Sequence, residues 1–304
     1  MNVVVAVTDY DWFVTLKQLP DLSEVNFWAP SPKNFRALQP GELFLFKLHA
    51  PYDMIVGGGI FAYANQFPCS LAWEIFGEAN GAHSLGQMRE RIIKYRRADT
   101  NYQNDFNIGC RILTQTFFLD ESDWIRPPES WAKNIVTFKT YNTNDEEGLY
   151  LWQAAHAHTS KRLSQQLAET RVPYGEPTLV LPRLGQGAFR FVVTDTYHRR
   201  CAVTQERTLP ALDAAHIFPY HLGGDHEVSN GLLLRRDIHS LFDAGYVTVT
   251  PSWEFEVSRA IREEFENGRD YYALHGTRIR VPDRPNLRPD PSALAWHNEN
   301  IYKG

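Results

Sequence analysis

The residues best suited to chemistry in this sequence are two histidines, an asparagine and an aspartate in its second half. His216, Asn230, His239 and Asp243 all fall within the segment 212–245. An imidazole with a pKa of about 6.5 is a good general base near neutral pH. A histidine and a carboxylate can hold a divalent cation that polarises a phosphate and supports a leaving O3′. These residue types predict metal-dependent hydrolysis of a phosphodiester, with the asparagine bracing a loop through hydrogen bonds.

The local sequence predicts a strand, a turn and a helix that would position these side chains. His216 lies in AAHIFP, a short and partly apolar segment that can form a strand. Asn230 precedes a glycine, and Asn-Gly is a strong turn signal. The segment DIHSLFDAG has the length and ends of a short helix. Residues four apart share one helical face, so we expect His239 and Asp243 to point the same way.

The order of these residues resembles the motif of HNH (ββα-metal) endonucleases. The segment is similar to the HNH branch that reads AAHI-P, GG, NGLLL and H-LFD-G, and RLGQGAFR, RRCAVT, YALHGTRIRVP and LAWH are similar to its flanks, over about residues 180–298. The resemblance implies a DNA endonuclease in which His216 is the general base and Asn230 the bracing residue. It also implies that His239 is a metal ligand carried by the helix and that Asp243 is a further ligand.

The sequence departs from this motif at one position. Many HNH nucleases have Asp or His directly before the base, where this chain has Ala215. Asp213 would lie on the same side of a strand, and we predict it as the replacement ligand although it starts about 6–7 Å further along. Oxygen ligands favour Mg²⁺ or Mn²⁺, and imidazole leaves Zn²⁺ or Ni²⁺ open. His221 and His226, in a glycine- and acid-rich turn, are predicted to be surface residues.

The first half of the chain predicts a separate domain of short strands and turns. Apolar runs predict strands at residues 3–7, 42–48, 54–62, 111–118 and 135–141, and helices at 70–78 and 86–97. TDYDWF, NFWAP, PGELFLFKL and MIVGGGIFA resemble the pseudo-β-barrel of the PUA superfamily, whose EVE-type and SRA-type members read modified bases. The predicted fold class is α+β: a PUA-like pseudo-β-barrel with helices (1–142), a helical linker (143–180) and a ββα-metal HNH nuclease domain (181–304).

A domain that inspects one base must take it out of the stack and hold it between aromatic faces. Each stacked base contributes about 1–3 kcal/mol. Tyr10, Trp12 and Trp28 lie in or beside predicted loops, and Asp9 could accept a hydrogen bond from a cytosine amino group. We predict that these four residues form a pocket for a modified base.

The formal net charge of −5 argues mildly against nucleic acid as a partner. The distribution of charge matters more than its sum, however. The segment MRERIIKYRR concentrates basic side chains against one glutamate. Five of them are predicted to contact the DNA backbone: Arg89, Arg91, Lys94, Arg96 and Arg97.

Other features of the sequence exclude several classes of protein. No stretch approaches the roughly 18 consecutive apolar residues of a membrane span. The first residues read as a strand rather than a signal peptide, so we expect a cytoplasmic protein with no membrane partner. The three cysteines, Cys69, Cys110 and Cys201, are far apart, which disfavours a disulfide framework or a zinc ribbon.

An EVE-like domain joined to an HNH nuclease resembles a modification-dependent restriction endonuclease. The substrate would be double-stranded DNA with a modified cytosine, 5-methyl or 5-hydroxymethyl. A single-metal HNH centre cuts one strand, so a double-strand break implies two copies, and we expect a homodimer. Two alternatives remain open. The first half could read an ordinary sequence or structure, or the chain could be a non-catalytic reader of modified nucleic acid with a degenerate HNH fold, which Ala215 keeps open.

Overall fold

A computed structural model describes residues 1–96, 105–166 and 184–304 of the chain. The chain divides into two compact units, Met1–Arg183 and Leu184–Gly304. Both contain helices and sheets in which antiparallel pairing dominates, as expected for an α+β protein. Within the described ranges, no helix has the length and apolar character needed to cross a membrane. Arg97 and the end of the predicted linker lie outside the described residues.

A six-stranded sheet forms the centre of the first unit. Its strands are β1 (Asn2–Thr8), β2 (Glu24–Asn26), β3 (Leu43–Leu48), β4 (Ile55–Pro68), β5 (Asn107–Phe118) and β6 (Phe138–Asn142). The spatial order is β2-β5-β4-β3-β1-β6. β1 and β3 run parallel, with Val5 opposite Leu45, and the other neighbouring pairs run antiparallel. The helices are α1 (Tyr10–Lys17), α2 (Cys69–Phe76), α3 (Leu85–Tyr95) and α4 (Glu146–Gln166).

Both faces of this sheet are buried, which explains the unbroken apolar run of β1. Successive strand side chains point to opposite faces. Val4 and Ala6 accordingly pack in one core cluster with Trp12 and Leu16 of α1. Val3 and Val5 pack in a second cluster, which includes Leu151 and Trp152 of α4. The position of α1 is thus set by the apolar face that it adds to the sheet.

Three expectations for this unit need correction. The sheet is open: its edge strands β2 and β6 are not paired with each other in the described part of the chain, so no closed barrel forms. The predicted loop around Tyr10 and Trp12 is the first turn of α1, because Trp12, Phe13 and Leu16 form an apolar helical face. The last strand begins at Phe138 rather than at residue 135. The glycines of β4 allow a close approach of the neighbouring backbone, since a Cβ at Gly58 would lie 2.6 Å from the Phe44 carbonyl oxygen.

The second unit contains the predicted strand, loop and helix. β7 (Leu212–His216) pairs antiparallel with β8 (Gly231–Arg235), and α6 (Arg236–Asp243) follows directly. α5 (Gln186–Thr196) packs on this hairpin, and Tyr197 donates a hydrogen bond to the Gly231 carbonyl (3.2 Å). The remaining elements are β9 (Val247–Val249), β10 (Phe255–Val257), α7 (Ala260–Phe265), α8 (Arg269–Tyr272) and α9 (Pro291–Asn300).

The contact between α5 and β8 requires a residue without a side chain. A Cβ at Gly231 would lie 2.6 Å from Val193 and 3.0 Å from the Phe189 ring. The absence of a side chain here lets β8 approach the helix closely. The same approach brings Phe189 against His216 at the end of β7.

Candidate active site

His216 ends β7 with its imidazole between an aromatic ring and a second histidine. The Phe189 ring of α5 stacks on it at a centroid distance of 4.0 Å and an interplanar angle of 12°. Its Nε2 lies 2.9 Å from Nδ1 of His226. Burial, followed by the neighbouring His226 and His239, lowers the pKa of His216 to about 4. The imidazole is therefore neutral at physiological pH, and one of its two ring nitrogens carries a lone pair.

Asn230 fixes the loop that joins the two strands. Its Oδ1 accepts a hydrogen bond from the Phe218 amide (2.8 Å), and its Nδ2 donates to the carbonyls of Phe218 and Asp225 (3.0 Å each). One amide needs the oxygen and two carbonyls need the nitrogen, so the network determines the orientation of the side chain. Phe218 follows His216 by two residues, and Asp225 directly precedes His226. The hydrogen bonds of Asn230 therefore fix the backbone next to both histidines.

The α6 residue His239 lies between two carboxylates. Its Nδ1 is 3.5 Å from Oδ2 of Asp213 on β7, and its Nε2 is 3.3 Å from Oδ2 of Asp243, one helical turn later. The other oxygen of Asp213 is 3.1 Å from Nε of Arg190 on α5. Asp213 therefore joins three elements of the unit, and its carboxylate faces Nδ1 rather than the nitrogen beside Asp243.

The charges of this group are coupled. Burial lowers the pKa of His239, but the hydrogen bond to Asp213 and the charges of Asp243 and Asp213 outweigh it, so the pKa lies above its usual value. Burial also opposes the ionisation of Asp213, yet His239 and Arg190 hold the pKa of that carboxyl below its usual range. Burial raises the pKa of Asp243, partly offset by His239. The two carboxylates are thus balanced by the Arg190 guanidinium and by the His239 imidazole when it is protonated.

Two of these side chains fit a divalent cation. Metal bonds of about 2.1 Å at right angles place two ligand atoms about 3 Å apart, close to the 3.3 Å between His239 Nε2 and Asp243 Oδ2. Among the described residues no three His, Cys, Asp or Glu side chains converge on one point, since Asp213 faces the opposite nitrogen of His239. That placement suits a carboxylate that orients a metal-binding imidazole.

Several residues of this site escaped the sequence reasoning. His226, expected on the surface, is half-buried and contacts His216. Phe189 and Arg190 lie in RLGQGAFR, which the family resemblance includes without indicating that they touch the site. Only the placement of α5 against the hairpin brings them there, and no local spacing signals that contact.

The predicted base-pocket residues of the first unit are divided between surface and core. Tyr10 is 42% exposed and stacks on exposed Tyr52 at 4.6 Å. Asp9 accepts a hydrogen bond from the Tyr95 hydroxyl (2.6 Å). Trp12, by contrast, is only 3% exposed and packs tightly in the core. Trp28 is half-buried, and its Nε1 donates to the Asn80 carbonyl (2.9 Å).

Most of the predicted backbone-binding side chains of α3 bind the protein itself. Arg89 pairs with Asp105 (3.4 Å), and Arg91 donates to the Gly81 carbonyl. Arg96 donates to the Asn107 carbonyl (3.3 Å) and stacks on a neighbouring phenylalanine ring. Lys94 is the exposed member of the described set. The helix thus offers less free positive charge than its sequence suggests.

Comparison with known proteins agrees with the geometry of the second unit. Residues 201–250 match the family model described as HNH endonuclease. The chain therefore carries an HNH endonuclease domain and is a DNA nuclease, and nucleases of this type generally depend on a divalent metal ion. No curated protein sequence matches the chain. A solved structure, a modification-dependent TagI restriction endonuclease, is similar over 97% of this chain and 81% of its own, with 13% identity and a TM-score of 0.31.

Proposed function

We propose that this nuclease is a modification-dependent DNA endonuclease of the restriction type. The first unit would recognise a modified cytosine, 5-methyl or 5-hydroxymethyl, and the second would hydrolyse the backbone nearby. The observation that carries the catalytic half is a neutral histidine, His216, beside the His239–Asp243 pair on a strand–loop–helix framework. An unprotonated imidazole next to a cation site is what phosphodiester hydrolysis requires.

The residues divide the chemistry between them. His216 takes a proton from a water molecule as the water oxygen attacks phosphorus and the bond from phosphorus to O3′ breaks. His239 and Asp243 would hold the divalent ion, which when bound neutralises phosphate charge and supports the leaving oxygen. Asp213 orients His239 through Nδ1. Phe189 covers one face of His216 and limits its access to bulk water.

The reader half of the proposal rests on the surface of Asp9 and Tyr10. The exposed ring can stack on a flipped base, and the carboxylate beside it can accept a hydrogen bond from the amino group of that base. Tyr52 and Tyr95 extend this surface, because Tyr52 stacks on Tyr10 and Tyr95 bonds Asp9. Trp12 is too deeply buried to line it. Nucleic acid would bind here mainly through stacking.

Two copies of the chain are needed for a double-strand break, since one HNH centre cuts one strand. We therefore propose a homodimer on DNA. Sedimentation with and without a cognate duplex tests this, and a DNA complex containing one copy would contradict it.

A cleavage assay on matched plasmids tests the whole proposal. The plasmids are unmodified, 5-methylcytosine-containing and 5-hydroxymethylcytosine-containing, each with Mg²⁺, Mn²⁺ or EDTA, and His216→Ala is the inactive control. We expect cutting only of modified DNA and only with metal. Equal cutting of all plasmids would retain the nuclease and reject the reader. Binding to modified DNA without cutting in any metal would favour the non-catalytic alternative.

A further inference from the structure

We propose that His226 is a positioning residue for the base His216. It would accept a hydrogen bond from Nε2–H of His216 and so hold the tautomer whose Nδ1 lone pair faces the attacking water. This inference rests on the proposed function, because it assigns His226 a part in the same reaction. The family resemblance does not indicate this role, because His226 lies outside the His–Asn–His pattern.

The arrangement of the two rings supports a built contact. Nδ1 of His226 lies 2.9 Å from Nε2 of His216, a normal hydrogen-bond length. Tyr220 stacks on His226 at 4.4 Å with an interplanar angle of 10°. Asn230 donates to the carbonyl of Asp225, the residue directly before His226. The second imidazole is therefore fixed by a ring on its face and by its own backbone.

The two rings can share their protons in two ways, and only one of them leaves His216 with a nitrogen that can accept a proton. A neutral imidazole carries one N–H, so the bond between the rings has either His216 or His226 as its donor. Burial lowers the pKa of both rings, which favours a neutral pair. If His226 donates, the Nε2 lone pair of His216 is consumed and its Nδ1 carries the proton. If His216 donates, its Nδ1 keeps a lone pair, and Nδ1 has no hydrogen-bond partner among the described residues.

The second arrangement also stabilises the product of proton transfer. When Nδ1 of His216 takes the proton from water, the ring becomes a cation, and its Nε2–H donates a charge-assisted bond to His226. The bond strengthens as charge develops, which is how a partner accelerates the step without touching the substrate. His226 thereby affects the turnover rate more than substrate binding.

Three variants separate this role from a structural one. His226→Leu removes the acceptor and keeps bulk, whereas His226→Asn places an amide atom where Nδ1 was, since both are bonded to Cγ. His221→Leu is the matched control, an exposed histidine of the same loop. We expect His226→Leu to lower kcat about 10- to 100-fold, a part of the general-base contribution. KM should stay unchanged, His226→Asn should recover most of the rate, and the control should behave as wild type.

Two further readouts decide between explanations. ¹⁵N chemical shifts of the His216 ring, recorded without DNA, should show the Nε2–H tautomer in wild type and a mixture in His226→Leu. Mn²⁺ affinity should be unchanged in both His226 variants. Loss of metal affinity would make His226 a ligand, and an equal rate loss in Leu and Asn variants would make it structural; either result overturns the proposal. Absence of DNA cutting by wild type would reject the proposed function, whereas the tautomer is read independently of it.

We also infer a DNA-contacting surface in the second unit, here called the arginine surface. Its members follow one another between β10 and α9: Arg278, Arg280, Arg284 and Arg288. With Asp283 as the sole acid, residues 278–288 carry four positive charges and one negative, a net of +3. This inference likewise rests on the proposed function, because its partner is the backbone of the DNA substrate.

The arginine surface is partly organised in advance. Arg278 and Arg288 both lie over the Trp253 ring, at 5.9 and 5.6 Å. Arg288 is held by the Pro282 carbonyl (3.1 Å), and Asp283 is paired with His198 (3.0 Å). A guanidinium fixed by stacking loses less entropy when it binds a phosphate. The adjacent acid is thus paired with His198, and Arg278, Arg280 and Arg284 are exposed.

This surface adjoins the catalytic loop. The amide of Asp290 donates to the carbonyl of Ser229 (2.9 Å), the residue before Asn230. The amide of Arg280 donates to the carbonyl of Ala202, at the start of the segment that matches the HNH family model (2.8 Å). These backbone hydrogen bonds join the segment of the arginine surface to the catalytic loop and to the start of the HNH segment, so we take its partner to be the phosphate backbone that flanks the scissile bond.

Salt-dependent binding tests the arginine surface. The test pair is Arg280→Ala with Arg284→Ala; the control pair is Arg259→Ala with Arg269→Ala, which are exposed arginines near the glutamates of α7. Affinity for a modified duplex is measured in EDTA against salt concentration. Loss of two phosphate contacts should reduce the slope of log K against log salt by about 1.8. An unchanged slope, or an equal change in the control pair, would overturn the inference even if wild type still cuts DNA.

Discussion

Substitution of Asn230 by aspartate provides a demanding test of the site geometry, because the two side chains have nearly the same shape. Asn230 is 6% exposed and makes three hydrogen bonds, one as acceptor and two as donor. Aspartate would keep the bond from the Phe218 amide. It would also place a carboxylate oxygen against two carbonyl oxygens, those of Phe218 and Asp225, that the amide group now contacts at 3.0 Å.

The magnitude follows from these contacts. Asn230→Ala removes three bonds and leaves buried groups unsatisfied, which we expect to cost about 2–4 kcal/mol in the free energy of unfolding. Asn230→Asp removes two bonds but adds a buried, uncompensated charge, so it should cost at least about 1–2 kcal/mol more. The isosteric substitution is therefore expected to be the more harmful one. For a unit of this size each kcal/mol lowers Tm by roughly 3–6 °C.

The assay combines unfolding with cleavage. Urea and thermal unfolding of the full chain give stability, and hydrogen exchange of residues 212–235 locates the change in the hairpin. Asn298→Ala is the control, because Asn298 also makes three hydrogen bonds, to Thr248, Val249 and Leu294, away from the catalytic loop. It should lower stability but retain cleavage at low temperature, whereas both Asn230 variants should lose cleavage even there. An aspartate variant as stable as the alanine variant would refute the reasoning.

Further predictions concern the base, the metal, acid stability and the reader. His216→Ala should lower cleavage about 10²- to 10⁴-fold with DNA affinity unchanged in gel shifts; equal loss of both would count against its role as base. His239→Ala and Asp243→Asn should weaken Mn²⁺ binding at least about 10-fold, and because the pKa of His239 is raised, calorimetry should show proton release and weaker binding as pH falls. Burial lowers the pKa of His297 to about 4 in the folded protein, against about 6.5 in the unfolded chain. The neutral side chain therefore makes its full contribution to stability above about pH 6.5, and this contribution is lost as the pH falls toward 4. His297→Gln should flatten that loss when urea unfolding is measured against pH. Tyr10→Ala should reduce affinity for modified DNA by about 5- to 150-fold and leave affinity for unmodified DNA unchanged; parallel losses would remove Tyr10 from base recognition.

The framework of the candidate site could be predicted from sequence because its parts are close together in the chain. His216, Asn230 and His239 are carried by a hairpin and the helix that follows it, and each of these elements has a local signal. The strand end at His216 and the helix over DIHSLFDAG depend on neighbours within a few residues. The turn predicted at the Asn-Gly step does not form there: Asn230 ends a 3-10 turn, and Gly231 has an extended backbone and begins β8 opposite His216. Local signals of this kind survive folding unchanged, which is why β7 and α6 lie where the sequence indicates.

The rest depends on contacts between distant segments. His226 could not be told from a surface histidine, since its contact with His216 arises only when Asn230 folds the loop back. Arg190 meets Asp213 across 23 positions of sequence, through the packing of α5. Trp12 differs from its prediction for another reason. The apolar strand before it predicts a loop at this position, but the spacing of Trp12 and Leu16 is helical, and both are buried on one face of α1. Whether the first sheet closes into a barrel depends on pairing between its edge strands β2 and β6, which are distant in sequence, so no local pattern predicts it.

The stacking of Phe189 on His216 has a consequence for how this nuclease could be moved between proteins. The segment that matches the family model, 201–250, contains the proposed base His216, the loop residue Asn230 and the proposed metal ligand His239 but omits α5. It also omits α9, whose His297 lies 3.1 Å from the Phe242 carbonyl of α6. A gene fusion that contained only the matched segment would thus transfer the proposed reacting side chains without α5 and α9, the helices that pack against this segment. The exchangeable cassette, for engineering and for recombination alike, is the whole unit Leu184–Gly304.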